Sequence, residues 1–186
     1  MKGLQTGKFI VVLLTFVVAL SGGTVAWAEQ KTTVGGPASV HLDFQITIPT
    51  ILQLRVGSTG ATINTVSCTL SDVPGTGAVS MTSDGDNPVP VEMRALVPSG
   101  QAVTLTADSS TALTAGTSSD IPFTEISWTG GGVLGNGTFS GAAGQLLYTY
   151  NSSGARSGTY SFQYANINYY DSGVYQGTVT YTLSSP

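Results

Sequence analysis

The chain has 186 residues, of which 41% are hydrophobic but only 9% are charged, and its formal net charge at pH 7 is −4. Soluble domains average about 25% charged residues, so the polar surface of this protein is built mainly from Ser, Thr and Gly. The acidic balance excludes the basic surface that nucleic acids or anionic lipids require, and the apolar content excludes a disordered chain.

The first 28 residues have the pattern of a secretion signal. Lys2 and Lys8 accompany an apolar run over residues 9–20, and Ala26 and Ala28 occupy the two positions that a signal peptidase reads. The run is shorter than the roughly 20 residues of a spanning helix, which favours cleavage after Ala28 over an uncleaved anchor. We therefore predict a secreted, periplasmic or cell-surface protein with no membrane span after cleavage.

A polar leader and an alternating segment follow the signal. Residues 29–38 contain Gly and Pro and lack periodicity, which predicts a flexible leader. Beyond it the even-numbered residues are apolar and the odd-numbered ones polar, which predicts a β-strand with one buried face. The apolar residues of this strand are Val40, Leu42, Phe44, Ile46 and Ile48. The same phase continues to Val56, so we expect one strand kinked at Pro49, because proline is confined to the edges and bends of sheets.

Further period-two runs, separated by turn residues, fill the rest of the chain. They cover residues 62–70, 78–82, 89–97, 103–107, 121–128, 138–140, 146–150, 160–164 and 175–183. The pair around Pro98–Gln101 predicts a hairpin, and a change of phase between Phe123 and Ile126 predicts a bulge. We predict one all-β domain over residues 39–186, an antiparallel immunoglobulin-like β-sandwich of about eight to ten short strands, with a barrel as second choice.

No residue pattern predicts catalysis or a cofactor. His41 is the only histidine and lies on the polar face of the first strand, without a second histidine or a cysteine to share a metal. A Ser-His-Asp triad would need it, yet there is no Gly-x-Ser-x-Gly elbow. The carboxylates fall mostly in turns, and no local pair suggests a glycosidase. We predict a protein that is not an enzyme and has no metal site.

Asp84, Asp86 and Asn87 form the best local candidate for a cation site. Their side chains supply hard oxygen ligands of the kind that Ca²⁺ takes. The spacing and the final glutamate of an EF-hand loop are missing, and Asp-Gly-Asp-Asn is also common turn chemistry. We favour the turn.

Three aromatic residues offer a carbohydrate platform. Trp128 precedes a glycine loop, and Tyr169 and Tyr170 lie between two strands, where their rings would be accessible for stacking on sugars. The alternative, which we favour, is that these rings close the ends of the sandwich.

Cys68 is the only cysteine, so no intramolecular disulfide forms. It shares a predicted face with Val66 and Leu70, which favours an inert buried thiol over a reactive or intermolecular one.

The two ends of the mature chain carry a resemblance. The alternating N-terminal segment ending in Ile48-Pro49, the small Thr/Ser/Gly-rich strands and the closing Gly-x-Tyr-x-Gly-x-Val-x-Tyr-Thr-Leu at Gly173–Leu183 resemble secreted pilin-like sandwiches of Gram-negative bacteria. The nearest groups are chaperone-usher fimbrial subunits and spore coat protein U-like subunits. The disulfide common in these subunits is absent here.

The resemblance implies assembly by donation of an N-terminal strand to a neighbour, a form of β-augmentation. The assembly strand would then present Val40, Leu42, Phe44, Ile46 and Ile48. We expect a non-catalytic structural or adhesive surface subunit whose partner is protein, either further copies or a secretion chaperone. A secreted carbohydrate-binding module, with a glycan as partner, is the alternative, and a small extracellular hydrolase is less favoured.

Overall fold

The computed structural model describes residues 30–60, 63–116 and 119–186. The predicted signal peptide, with its cleavage site after Ala28, lies outside the described residues. The chain divides into two compact units, Met1–Ile46 and Thr47–Pro186. In the first unit, the described residues 30–46 form no strand.

The second unit is all-β. Its described residues form eleven strands: β1 (Ile51–Val56), β2 (Val66–Ser67), β3 (Val79–Ser80), β4 (Thr82–Ser83), β5 (Val89–Leu96), β6 (Val103–Asp108), β7 (Ile126–Gly132), β8 (Gly137–Thr138), β9 (Gln145–Tyr150), β10 (Gly154–Tyr164) and β11 (Thr180–Ser184). One short 3-10 helix, Phe123–Glu125, precedes β7. Among the residues described, no helix has the length and apolar character needed to cross a membrane.

The strands form an antiparallel sandwich. The larger sheet has the order β1-β5-β10-β7-β8, with β3 also pairing with the end of β10, and the smaller one has the order β11-β6-β9. A separate two-stranded ladder joins β2 and β4. The buried residues of both sheets form one hydrophobic core, as sheets packed face to face require. The predicted all-β sandwich is thus confirmed.

The centre of the core comes from strands with strict alternation. In β5 the apolar side chains at odd positions from Val89 to Ala95 are buried, as are Val103, Leu105 and Ala107 of β6. Aromatic residues of β10 complete it: Tyr160, Phe162 and Tyr164 all point inward. Tyr160 also stacks across the sandwich on Tyr181 of β11, with 6.5 Å between ring centroids.

The predicted hairpin of β5 and β6 is wrong. The turn after Pro98 is present, with the Gln101 amide donating to the Pro98 carbonyl at 3.1 Å. However, β5 pairs with β1 and β10, whereas β6 pairs with β11 and β9. The connection therefore crosses between sheets. Both strands carry a full apolar row, and placing them in opposite sheets buries these rows in the same core.

The predicted bulge between Phe123 and Ile126 is wrong as well, because a 3-10 helix occupies this position. The 3-10 helix rotates the chain there, so that Phe123, Glu125 and Ile126 are all buried. A helical turn changes the phase of a period-two pattern in the same way as an extra residue does.

The last predicted strand begins later than its pattern suggests. The run from Tyr175 alternates, but β11 starts at Thr180, and Gln176 makes only an isolated bridge with Thr114. Gly177 lies close against Leu113 and Phe123, where a Cβ atom would meet both at 3.1–3.2 Å. Within β11 the predicted register is confirmed, because Tyr181 and Leu183 pack on the core and Thr180 and Thr182 are exposed.

Candidate assembly site

The alternating N-terminal segment is not a strand in this structure. Residues 40–48 have no assigned secondary structure, and all five of their apolar side chains are exposed, Phe44 by 86%. The polar residues between them, His41 among them, are exposed as well. The predicted strand and its buried face are therefore absent from the described single chain, because an isolated extended segment has no ladder to join.

The second half of the predicted first strand does enter a sheet. β1 pairs with β5 over its whole length, from Ile51 opposite Leu96 to Val56 opposite Val91. Its even-numbered side chains face the core, as the phase of the sequence predicts. The change at Pro49 thus separates an exposed segment from a paired strand.

The first and last strands are the edges of different sheets and lie beside each other. β1 ends the order of the larger sheet and β11 that of the smaller one. Some Cα atoms of the two strands lie within 8 Å, although no ladder joins them in the part of the chain that the structure describes. We call this boundary between β1 and β11 the seam.

Apolar side chains along the seam are only half-buried. On β1 these are Leu52, Leu54 and Val56, and on β11 they are Tyr181 and Leu183. All five pack on the core, yet none reaches the near-complete burial of the rows on β5 and β6. The core is therefore only partly covered along the seam.

The strands define two ends of the sandwich. The lower end carries the start of β1 and the turn after β5, since Ile51 pairs with Leu96. β11 begins at the upper end and runs downward, because Thr180 pairs with Asp108 and Ser184 with Thr104. The segment of residues 165–179, which we call the upper loop, joins the end of β10 to the start of β11 at the upper end.

A buried carboxylate fastens the upper loop. Glu125 is 6% exposed, and its Oε1 accepts hydrogen bonds from Asn168 Nδ2 at 2.6 Å and from the Tyr170 hydroxyl. The carboxylate also raises the pKa of Tyr170, after the larger effect of burial. Further along the loop, Gln176 and Thr114 exchange two backbone hydrogen bonds of 3.0 Å. Sequence reasoning missed this arrangement, because Glu125 and its partners are 43 and 45 residues apart.

The cation candidate is a hydrogen-bonded turn. Asp84 Oδ1 accepts from Asn64 Nδ2 at 3.1 Å and from the Thr65 amide at 2.9 Å, and these bonds lower its pKa. The Asp86 amide donates to Ser58 Oγ at 2.7 Å. Among the described residues, no three His, Cys, Asp or Glu side chains are grouped to hold a metal ion.

The three aromatic residues of the predicted sugar platform do not share a surface. Trp128 is 7% exposed and donates from Nε1 to the Gly135 carbonyl at 2.9 Å. Tyr170 is half-buried against Glu125, and Tyr169 alone is exposed. Two of the rings therefore belong to the sandwich, as the favoured interpretation predicts.

Cys68 is half-buried and packs against the core together with Val66. Burial raises the pKa of its thiol, which lowers the fraction of reactive thiolate at neutral pH. Leu70, the third member of the predicted face, is exposed, so the face extends only as far as Cys68.

Comparison with known proteins gives no match: no protein-family model, no curated protein and no solved structure is similar to the chain.

Proposed function

We propose that this protein is an exported structural subunit of the cell surface, with no catalytic role, that assembles by donating residues 40–48 to the seam of a second copy. The single observation that carries the proposal is the exposure of five alternating apolar side chains in a molecule whose core is only partly covered along the seam. The resemblance to pilin-like subunits points to the same mechanism.

Energetics require a partner for the N-terminal segment. Burying a large apolar side chain contributes about 1.5–3 kcal/mol, so the five side chains represent on the order of 10 kcal/mol before entropy is counted. An extended apolar segment in water is also a template for uncontrolled pairing. Donation of the segment to the edge of one defined strand buries these side chains and leaves no unpaired segment for uncontrolled pairing.

The sequence between the segment and β1 disfavours docking beside β1 of the same molecule. Such docking needs a tight hairpin between Ile48 and Ile51, and only Pro49 and Thr50 are available. Two-residue hairpins use positive φ angles and therefore Gly, Asn or Asp, whereas proline is fixed near −65°. Residues 49 and 50 also form no turn in the structure. A second molecule is thus the better recipient.

The free edge of β11 is the recipient that the fold offers. Its apolar residues Tyr181 and Leu183 alternate with Thr180 and Thr182, matching the period of the donated segment. Neighbouring strands lie about 4.8 Å apart, so a strand seated between β1 and β11 needs roughly 10 Å between them. Since the two strands approach within 8 Å here, β1 moves outward when the donated strand enters.

The donated strand runs antiparallel to β11. Ile48 is tied to the lower end of its own molecule through two residues, and β11 starts at the upper end of the recipient. In the antiparallel direction the lower end of one copy meets the upper end of the next, and the contact repeats without closing, as in a fibre. If the donated strand ran parallel to β11, the lower ends of the two copies would meet. Each lower end already carries the N-terminal segment of its own molecule at the point where that segment leaves β1.

Removing residues 29–48 tests the proposal. We expect the truncated protein to remain folded by circular dichroism and to lose the ladder of oligomers that the full chain forms on gel filtration and in unheated gels. A truncated protein that unfolds would show instead that residues 40–48 are an ordinary first strand.

A matched pair of point variants sharpens the test. Phe44→Ser removes the largest side chain of the apolar row and should weaken assembly, whereas Gln45→Ser, on the opposite face of the same segment, should leave it unchanged. Equal effects of the two variants would argue against a strand with one buried face. Monomeric binding to a glycan array, without oligomers, would favour the carbohydrate-binding alternative.

A further inference from the structure

The lower end of the sandwich carries an apolar surface that the fold leaves uncovered. Two adjoining shallow depressions share Leu96 at this end. Their apolar lining outside the donated segment, which we call the lower patch, consists of Pro49, Ile51, Ala95, Leu96, Val97, Pro98 and Ala155. Arg94 is the only charged residue that lines either depression, among the residues described. The patch surrounds the point where the N-terminal segment leaves β1.

The upper end carries a second apolar surface, on the upper loop. Ile167, Tyr169 and Val174 are exposed, Tyr169 by 79%, and we call these three side chains the upper tip. Residues that alternate with them hold the loop in place: Asn166 is buried, and Asn168 and Tyr170 donate to Glu125. Because the loop is fastened by internal hydrogen bonds, its apolar side chains are displayed at little additional cost in conformational entropy.

We infer that the lower patch of one copy packs on the upper tip of the next copy, forming a second contact beside the donated strand. The inference rests on the proposed strand donation, which brings Ile48 to the start of β11 in the recipient. The upper loop leads into that start, and Val174 of the upper tip lies six residues before Thr180 in the chain. The step from Ile48 to Ile51 spans at most about 11 Å in an extended chain, so the lower patch is held within this distance of the recipient's upper end.

The chemistry of the two surfaces fits a second copy of this chain as the occupant of each. Both are apolar, and they lie at opposite ends of the molecule, so each copy offers one of each to its two neighbours. This is the arrangement of a heterologous contact that propagates. The contact makes the junction between subunits stiff, because a strand joined through two residues alone would leave each sandwich free to swing.

Two substitutions that introduce opposite charges on the two surfaces test the contact in the full-length exported protein. Tyr169→Lys places a cation on the upper tip, and we expect oligomers to dissociate at least about tenfold faster in denaturant, since a large apolar contact is lost and a charge is placed against the apolar lower patch. Leu96→Glu alone should also weaken the oligomers. Both substitutions together should recover most of the wild-type lifetime, because opposite charges then face each other across the junction.

Leu146→Lys is the matched control. Leu146, on edge strand β9, is 60% exposed, against 79% for Tyr169, and its replacement by lysine should leave the dissociation rate unchanged. The urea midpoint of each isolated variant is measured in parallel, and Tyr169→Ser and Leu96→Ser replace any variant that does not fold.

The outcomes separate the two proposals. If wild-type oligomers form and depend on residues 29–48, but Tyr169→Lys leaves their lifetime unchanged, the end-to-end contact is overturned and strand donation stands. A Tyr169→Lys defect that Leu96→Glu does not correct means that the upper tip faces another surface, such as a glycan or a different protein, and also overturns the inference. If the wild-type chain forms no oligomers, both proposals fail.

Discussion

Glu125 shows how one buried charge can organise a loop. A carboxylate taken out of water is costly unless it is hydrogen-bonded, and Asn168 and Tyr170 supply two donors to the same oxygen. The three residues meet only in the folded chain, so no local motif reveals them. Sequence reasoning placed the carboxylates in turns and thus missed the one that is buried.

Tyr170→Phe measures the strength of this attachment. It removes a hydroxyl that donates to a carboxylate, and hydrogen bonds to charged groups contribute about 1.5–3 kcal/mol. We expect the free energy of unfolding in urea to fall by about that amount, with faster hydrogen exchange in the upper loop.

Tyr169→Phe is the control for Tyr170→Phe, because it makes the same chemical change at an exposed ring in the same loop. Its effect on stability should stay within about 0.5 kcal/mol. Equal losses from the two variants would mean that Glu125 does not hold the loop.

At the scale of elements, strict alternation identified strands well and their partners poorly. Both apolar rows around Pro98 were recognised, because their period is local. Their assignment to opposite sheets was not, since a hairpin and a connection between sheets share the same turn and the same alternation. The N-terminal segment differs for a related reason: its pattern states which side chains need burial, but not which molecule buries them.

The register of β11 is testable by two substitutions on adjacent residues. Tyr181 packs on the core and stacks on Tyr160, so Tyr181→Ala should destabilise by about 3 kcal/mol, the lower part of the range for a large core ring, because the side chain is half-buried. Thr180→Ala, on the exposed face, should cost less than about 0.5 kcal/mol. Urea denaturation of both variants measures these losses of stability. Equal losses would mean that the register of β11 is shifted by one residue.

At the scale of the whole molecule, the sequence predicted the fold class but not which core side chains remain only half-buried. The seam was not predictable, because half-burial of β1 and β11 depends on which strands end each sheet. That is set by the order of pairing and not by any single pattern.

Buried phenols predict instability in alkali. Burial raises the pKa of Tyr160 to about 12, and burial likewise raises those of Tyr164 and Tyr181, whereas tyrosines of an unfolded chain ionise near pH 10. The unfolded state therefore releases protons first. The contribution of these groups to stability is complete below about pH 10 and is lost as the pH rises toward 12 and beyond.

Ultraviolet titration of phenol ionisation tests this prediction when it is run beside circular dichroism. We expect Tyr160, Tyr164 and Tyr181 to ionise only together with unfolding, above pH 10. Complete ionisation of all tyrosines near pH 10 with an intact fold would contradict their burial.

The pairing of the last strand with β6 also sets the order in which the molecule can be completed. Thr182 lies beside Thr106 although 76 residues separate them along the chain, and contacts of such long sequence separation form slowly. A chain synthesised from its N-terminus makes β6 early and β11 last. Until β11 arrives, the smaller sheet lacks one edge strand, and the backbone groups of β6 on that side have no ladder partner. The interval between those two events is when a chaperone that binds the open edge of β6 would be most useful.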